Sequence, residues 1–297
     1  MKDKKKKISI CGPALARLFS ASVIDELALK GHSPLAVSIL KETGVLREIK
    51  QTTLLRDFFN QVYTWLFRTY RNEYIYKNAI ARKILLGVHS LNTATMLTEF
   101  RAGSCKADVI VLNGTSTVYE IKSAYDSMER LTRQIAAYRQ LFDRINVITS
   151  DSQLDKVARV TGNDIGLMVL TDRNTIRTVQ EPMSLKNTVH QAVIFDSLRK
   201  NEYEQIIKEH FGAVPKVSNA RMYKSCRDLF CSLNQTMAHD AMVGVIKKRG
   251  DSKRLRDFVV SVPESLTAVS LSCNLSVAGQ TRFLRLLNVE IGNCLAG

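Results

Sequence analysis

The residues with chemistry in this chain gather in one stretch, Glu99 to Tyr138, and centre on Tyr119-Glu120-Ile121-Lys122. Thr115 to Lys122 is rich in β-branched residues and Tyr, the composition of a strand. Glu120 and Lys122 lie two apart on it and so share a face, with Tyr119 and Ile121 on the other. An acid and an amine among such neighbours are costly unless paired or bound. A second acid, Asp108, opens the apolar run Val109-Ile110-Val111-Leu112, and Asn113-Gly114 supplies a turn between the two strands. Carboxylates that converge repel each other, and a divalent cation removes that repulsion. Asp108, Glu120 and the carbonyl of Ile121 offer the oxygen ligands a hard cation takes. Lys122 could then orient an attacking water or stabilise its hydroxide form, while the cation lowers the pKa of that water.

This reading sets a parity condition. A two-residue loop at Asn113-Gly114 would place Asp108 opposite Tyr119, on the wrong face. One extra loop residue, or a bulge, returns Asp108 to the face of Glu120.

An acid, a hairpin and then Glu120-Ile121-Lys122 resembles the pattern of the PD-(D/E)XK nuclease superfamily. Ala107 stands where that pattern often has Pro. Gln134-x-x-x-Tyr138 on the following helix resembles the extra signature of RecB-like members, and the resemblance spans roughly residues 70 to 180. It implies a restriction-endonuclease-like α/β/α sandwich with a mixed sheet. It also implies metal-dependent hydrolysis of phosphodiester bonds, with magnesium as cofactor and manganese as a substitute. Asp108, Glu120, Lys122 and Gln134 take catalytic places, and Asp108, Glu120 and Ile121 hold the metal. The superfamily places a further acid on the helix before the first strand, which Glu73 resembles; the alternative to a role there is an i,i+4 pair with Lys77. Glu99, on a short strand beside the hairpin, is the rival third acid. Tyr138, Arg130 and Arg133 are the candidates for contact with substrate.

These residues need positioning elements, and the rest of the sequence supplies them. Residues 12 to 48 read as two helices, broken at Gly31-His32-Ser33-Pro34. Residues 53 to 86 carry a long helical pattern, in which Phe58, Phe59, Val62, Trp65 and Leu66 form an apolar face expected to pack. Met96 to Arg101 reads as the first strand, and Ser127 to Phe142 as the helix after the hairpin. Strands at 144 to 149 and 166 to 170 and a returning strand at 175 to 179 complete an α/β pattern. From Asn187 onward the pattern is mostly helical, with its densest basic stretch at Lys247-Lys248-Arg249 and Lys253 to Arg256. The expected organisation is a basic arm and helical segment at 1–52, the nuclease-like core at 53–182 and a helical domain at 183–297.

The 297 residues carry 43 Lys and Arg against 28 Asp and Glu, a net charge of +15. An excess of this size and sign favours a polyanion, nucleic acid before a membrane surface. Six cysteines show no C-x-x-C and no zinc spacing, so reduced thiols in the cytoplasm are expected. Lys4 to Lys7 before an apolar segment mimics a signal peptide, but Pro13 and Arg17 interrupt that segment and a flexible basic arm is expected instead. The expected function is a magnesium-dependent nuclease, acting on DNA more than RNA. A homo-oligomer or protein partner would use the helical C-terminal region. The alternative is a non-catalytic nucleic-acid-binding or protein-interaction module on the same fold.

Overall fold

The computed structural model describes residues 11–250 and 253–295. The expected basic arm at Lys4 to Lys7 lies outside the described residues. The chain forms two compact units, one from residues 1–84 with 253–297, the other from 85–252.

The second unit is built on a six-stranded mixed sheet in the order β1 to β6. The strands are β1 (Thr95–Ala102), β2 (Cys105–Leu112), β3 (Ser116–Lys122), β4 (Arg144–Thr149), β5 (Gly166–Leu170) and β6 (Ile176–Gln180). β1, β2 and β3 form an antiparallel meander, β3, β4 and β5 run parallel, and β6 returns antiparallel to β5. The two parallel connections pass through helices α1 (Leu131–Arg139) and α2 (Leu154–Val160), as parallel neighbours require. Helices α3 (Gln191–Asp196), α4 (Lys200–Phe211), α5 (Asn219–Cys231) and α6 (Gln235–Ile246) follow. The α/β class and mixed sheet agree with the sequence reading.

One face of the meander joins these helices in a single core. Ile110, Leu112, Val118, Ile135, Phe142, Phe195, Phe230 and Met242 belong to it. The opposite face, with Val109, Val111, Tyr119 and Ile121, is buried too, which explains the near-continuous apolar runs of β2 and β3. Two long helical patterns prove to be broken. The helical pattern that runs from Ala220 to Lys248 in the sequence is interrupted at Asn234, whose side chain accepts a hydrogen bond from the backbone N–H of Met237 and caps α6. Residues 127 to 130 precede α1 as a turn rather than joining it.

A buried polar hub ties the β2–β3 loop to the segment after β6. Asp143 accepts hydrogen bonds from Thr115 Oγ1 (2.6 Å), Ser184 Oγ (2.5 Å) and the backbone N–H of Lys186 (3.0 Å). Burial pushes its carboxyl up, but the bonds from Ser184 and Thr115 outweigh that and leave the pKa lowered. Beside it, Ser116 Oγ lies 2.8 Å from His239 Nε2, and His239 Nδ1 lies 3.1 Å from Asp240. The order mimics a Ser-His-Asp triad. Ser116 and His239 are fully buried, however, and no substrate reaches a sealed hydroxyl. Burial also lowers the His239 pKa, so the neutral ring accepts from Ser116 and joins α6 to the sheet.

The first unit is helical: Ala21–Lys30, Pro34–Thr43, Leu55–Thr69 and Glu73–Ala79, then Lys253–Ser261, Thr267–Ser272, Val277–Leu286 and Ile291–Cys294. Ser20 and Ser33 cap the first two of these, and Gly31 and Gly44 end them at positive φ. The division departs from the expected three domains. Residues 53–84 pack with the C-terminal segment through a bridge between Leu54 and Glu290 and through hydrogen bonds from Asn78 to Glu264 and from Tyr74 to Ser265. Pairing across some two hundred residues leaves no trace in local periodicity. No helix among the described residues is long and apolar enough to cross a membrane.

Replacing Asp143 by Ala should lower stability by about 2–3 kcal/mol, because three donors lose a charged acceptor at a buried site. Urea denaturation should show a lower midpoint with an unchanged slope, while Asp155→Ala, on the outward side of α2, should leave the midpoint in place.

Candidate active site

The β2–β3 hairpin meets the parity condition. Leu112 pairs with Ser116, so the loop is the three residues Asn113, Gly114 and Thr115. Gly114 takes φ +69, a region open to Gly at little cost. The same register continued from Val109–Tyr119 sets Asp108 opposite Glu120 on one face. The side chain of Asp108 takes over there from the ladder: its Oδ2 accepts from the backbone N–H of Ile121 at 2.8 Å.

The β1–β2 hairpin adds a third acid. Its loop is the two residues Gly103 and Ser104, and Thr98–Val109 and Phe100–Ala107 pair on either side of position 99. Glu99 therefore stands opposite Asp108, and their carboxylates offer oxygens within 4.8 Å of each other. Three acids thus lie in a row across β1, β2 and β3. Glu99 holds φ +57 inside a strand, a conformation costing roughly 1–2 kcal/mol for a residue with a Cβ. Its carboxylate is also 2.6 Å from Lys106 Nζ. Glu73 belongs to the other unit, where it begins the helix Glu73–Ala79 and lies 2.5 Å from Lys77 Nζ.

Glu120 is 1% exposed. Tyr138 Oη donates to its Oε2 at 2.7 Å, and Lys122 Nζ lies 3.2 Å from its Oε1. Lys122 Nζ also donates to Gln134 Oε1 at 3.0 Å. Gln134 and Tyr138 sit one turn apart on α1, so one face of one helix grips both ends of the E-x-K triplet. Burial raises the Glu120 pKa, against the lowering effects of Tyr138 and Lys122. The push comes from desolvation and not, as the sequence suggested, from the neighbouring Asp108.

Two assignments change. Tyr138 was a candidate for substrate contact, but it is fully buried. Its hydroxyl is held between Glu120 and the carbonyl of Lys106. It positions Glu120. Gln134 likewise reaches Lys122, which makes it a positioning residue. Arg130 and Arg133 are exposed and stay available to a ligand. The basic stretch at 247–249 is partly spent inside the unit, since Arg249 makes a two-pronged pair with the carboxylate of Glu202 and lies over the Phe100 ring. Sequence reasoning missed this pair; a basic run by itself does not reveal which member turns inward.

A family model described as bacteriophage P4 protein cII matches residues 67–268. The chain belongs to the bacteriophage P4 protein cII family. Protein cII of Enterobacteria phage P4 is 22% identical over 165 residues, covering 54% of this chain; the chain spans 61% of that relative's length. Among solved structures, the SPO1766 protein of unknown function from Silicibacter pomeroyi shares 16% identity at a TM-score of 0.29, with 59% of this chain and 92% of that one covered. The segment matched to the cII family contains all three acids of the row, with Lys122, Gln134 and Tyr138.

Two outcomes follow from this geometry. Glu99→Gly should melt no lower than the wild type, and by up to a few degrees higher, because Gly takes φ +57 without strain. The raised pKa of Glu120 gives the second. Between the ordinary carboxylate pKa and the raised one, the native chain holds a proton that the unfolded chain has released. The contribution of Glu120 to stability therefore falls as pH rises through that window. Melting curves in chelator across the acidic to neutral range should show this fall, and Glu120→Gln should flatten it.

Proposed function

We propose that this chain is a divalent-metal-dependent nuclease with a restriction-endonuclease-like core, hydrolysing phosphodiester bonds of nucleic acid, DNA more than RNA. The observation that carries the proposal is the placement of Asp108 opposite Glu120, on the face shared with Lys122. The donor set fits magnesium, with manganese as a substitute: Asp108, Glu120 and Glu99 are carboxylates, and the carbonyl of Ile121 is a further hard oxygen. Bound there, such a cation lowers the pKa of a coordinated water and offsets charge on the phosphate.

The chain's own residues do the rest. Asp108 is oriented by the N–H of Ile121, which fixes its carboxylate. Tyr138 holds one oxygen of Glu120, which leaves Oε1 on the side of Lys122. Gln134 keeps the Lys122 ammonium from closing fully on Glu120, so the amine stays placed to orient the attacking water. Arg130 and Arg133 meet the substrate backbone. A binding or interaction module has no use for three aligned acids, whose charges repel a polyanion. This favours catalysis over the alternative.

Asp108→Asn and Lys122→Ala should each reduce cleavage by at least about a hundredfold, given the size of electrostatic contributions at such sites. Asp108→Asn should also remove most of the rise in melting temperature that magnesium gives the wild type. Binding of an uncleaved oligonucleotide should survive Lys122→Ala and weaken steeply with salt. The assay is labelled linear, circular and single-stranded DNA and RNA with magnesium, manganese or chelator. Absence of metal-dependent cleavage on all of them, with binding retained, would make the chain a binding module.

A further inference from the structure

The helix Leu55–Thr69 departs from the packing its sequence suggests. Phe58, Phe59, Val62 and Leu66 are buried, but Trp65 on the same face is only half-buried. Its side chain lines two cavities of the helical unit. One is an open groove of about 730 Å³ along the outward face of the helix, lined by Asp57, Asn60, Gln61, Thr64 and Arg68. The other, about 430 Å³, runs under Val45, Ile49 and Val62 and shares Gln61 and Trp65 with the first. Among the described residues, the side chains of Asn60, Gln61, Trp65 and Arg68 make no hydrogen bond or ion pair. A large aromatic side chain left partly exposed, beside amides with no internal partner, is incompletely explained by packing.

We infer that this groove is a binding site for a base of single-stranded nucleic acid, with the base stacked on Trp65 and the adjoining phosphate on Arg68. The lining chemistry points to that occupant. Asp57 and Arg68 cancel in charge, so the groove floor suits a neutral planar group rather than a bare anion. Asn60, Gln61 and Asp57 present both donors and acceptors, which the edge of a base requires. Arg68 lies three residues after Trp65, hence beside it on the helix surface. Over the sequence of this unit, Lys and Arg outnumber Asp and Glu by roughly two to one, and they are nearer balance in the sheet-containing unit. Every base has a π-face, so stacking of this kind tolerates sequence. The inference does not rest on the nuclease reading, since no residue of the carboxylate row takes part.

The chain contains a single tryptophan, which makes the test direct. The full chain, in chelator to prevent cleavage, is titrated with unlabelled deoxythymidine and ribouridine dodecamers while indole emission is followed. Fluorescence anisotropy of labelled copies measures binding separately. Saturating oligonucleotide should quench the emission, as expected for stacking of a base on the indole. Trp65→Ala should weaken binding about 5- to 150-fold, the range of base–aromatic stacking. Arg68→Ala should lower the slope of log affinity against log salt by about 0.7, one phosphate contact on a single strand. Gln61→Ala and Arg68→Ala alter exposed side chains and test the site even where Trp65→Ala fails to fold. Binding seen by anisotropy with unchanged indole emission would overturn the inference, as would the absence of binding to either dodecamer. The DNA and RNA arms show which strand the groove prefers. Neither outcome bears on the carboxylate row, none of whose residues lines the groove.

Discussion

Loop length is the constraint on which the candidate site depends. In an antiparallel pair, opposite residues share a face, so one residue more or less in a turn reverses every side chain on the returning strand. The two hairpins of the meander use different lengths, two residues at Gly103-Ser104 and three at Asn113 to Thr115. The sequence separations between the acids are correspondingly odd for Glu99 and Asp108, and even for Asp108 and Glu120. Each separation suits its own loop and neither would suit the other. The match aligns three carboxylates that a single deletion in a loop would hide from one another.

Alignment is expensive, and the surroundings show how the expense is contained. Glu120 is nearly sealed, a condition that favours its neutral form. Tyr138 and Lys122 counter this by giving each carboxylate oxygen a donor or cation. Tyr138 has one proton and two acceptors in reach, Glu120 Oε2 and the carbonyl of Lys106. With Glu120 ionised the proton serves the carboxylate; with Glu120 protonated the acid can donate to Tyr138, whose own proton turns to Lys106. The hydroxyl thus accommodates both states without moving a heavy atom. Glu99 contributes cost of another kind, a left-handed backbone within a strand. Strain and buried charge in the same few residues are typical of sites kept for function rather than stability.

How much of this was legible in the sequence follows from the range of each interaction. The β2–β3 hairpin, its parity requirement and the sharing of a face by Glu120 and Lys122 are set within fifteen residues, and local alternation exposes them. The α/β class also came through, since the strand patterns from Met96 to Val179 are interspersed with helical ones. The grouping of residues 53–84 with 253–297 did not, because it rests on contacts such as Leu54 with Glu290 that have no local signature. Helical spacing put Tyr138 on the right face of α1 but could not distinguish a group touching substrate from one buried behind a carboxylate. The same limit applies to Trp65: periodicity assigned it to an apolar face, and only the packed helix shows that the face is incomplete there. Arg249 failed in the opposite sense, a surface-looking cation that is consumed by Glu202.

These observations separate two tasks that a basic nuclease-like chain is easily assumed to perform with one surface. A row of acids repels a polyanion until a cation neutralises it, so the unit that carries the row is a poor source of affinity by itself. Its own cations do little to change that. Arg249 is paired inside, Arg139 is paired with Asp164 and Lys122 with Glu120, and the remaining charges are close to balance. Counted over its whole sequence, N-terminal lysines included, the helical unit holds the larger share of the excess that gives the chain its net +15, and its described residues form no comparable carboxylate row by themselves. On the proposed reading, affinity for a polyanion draws on the helical unit, and hydrolysis on the sheet. On that reading, loss of a lysine or arginine from the helical unit would act on binding and its salt dependence, whereas loss of Asp108 would act on hydrolysis. On this division, a chain that lost its acids would still bind nucleic acid, and retention of the acid row in register is the feature that argues for chemistry.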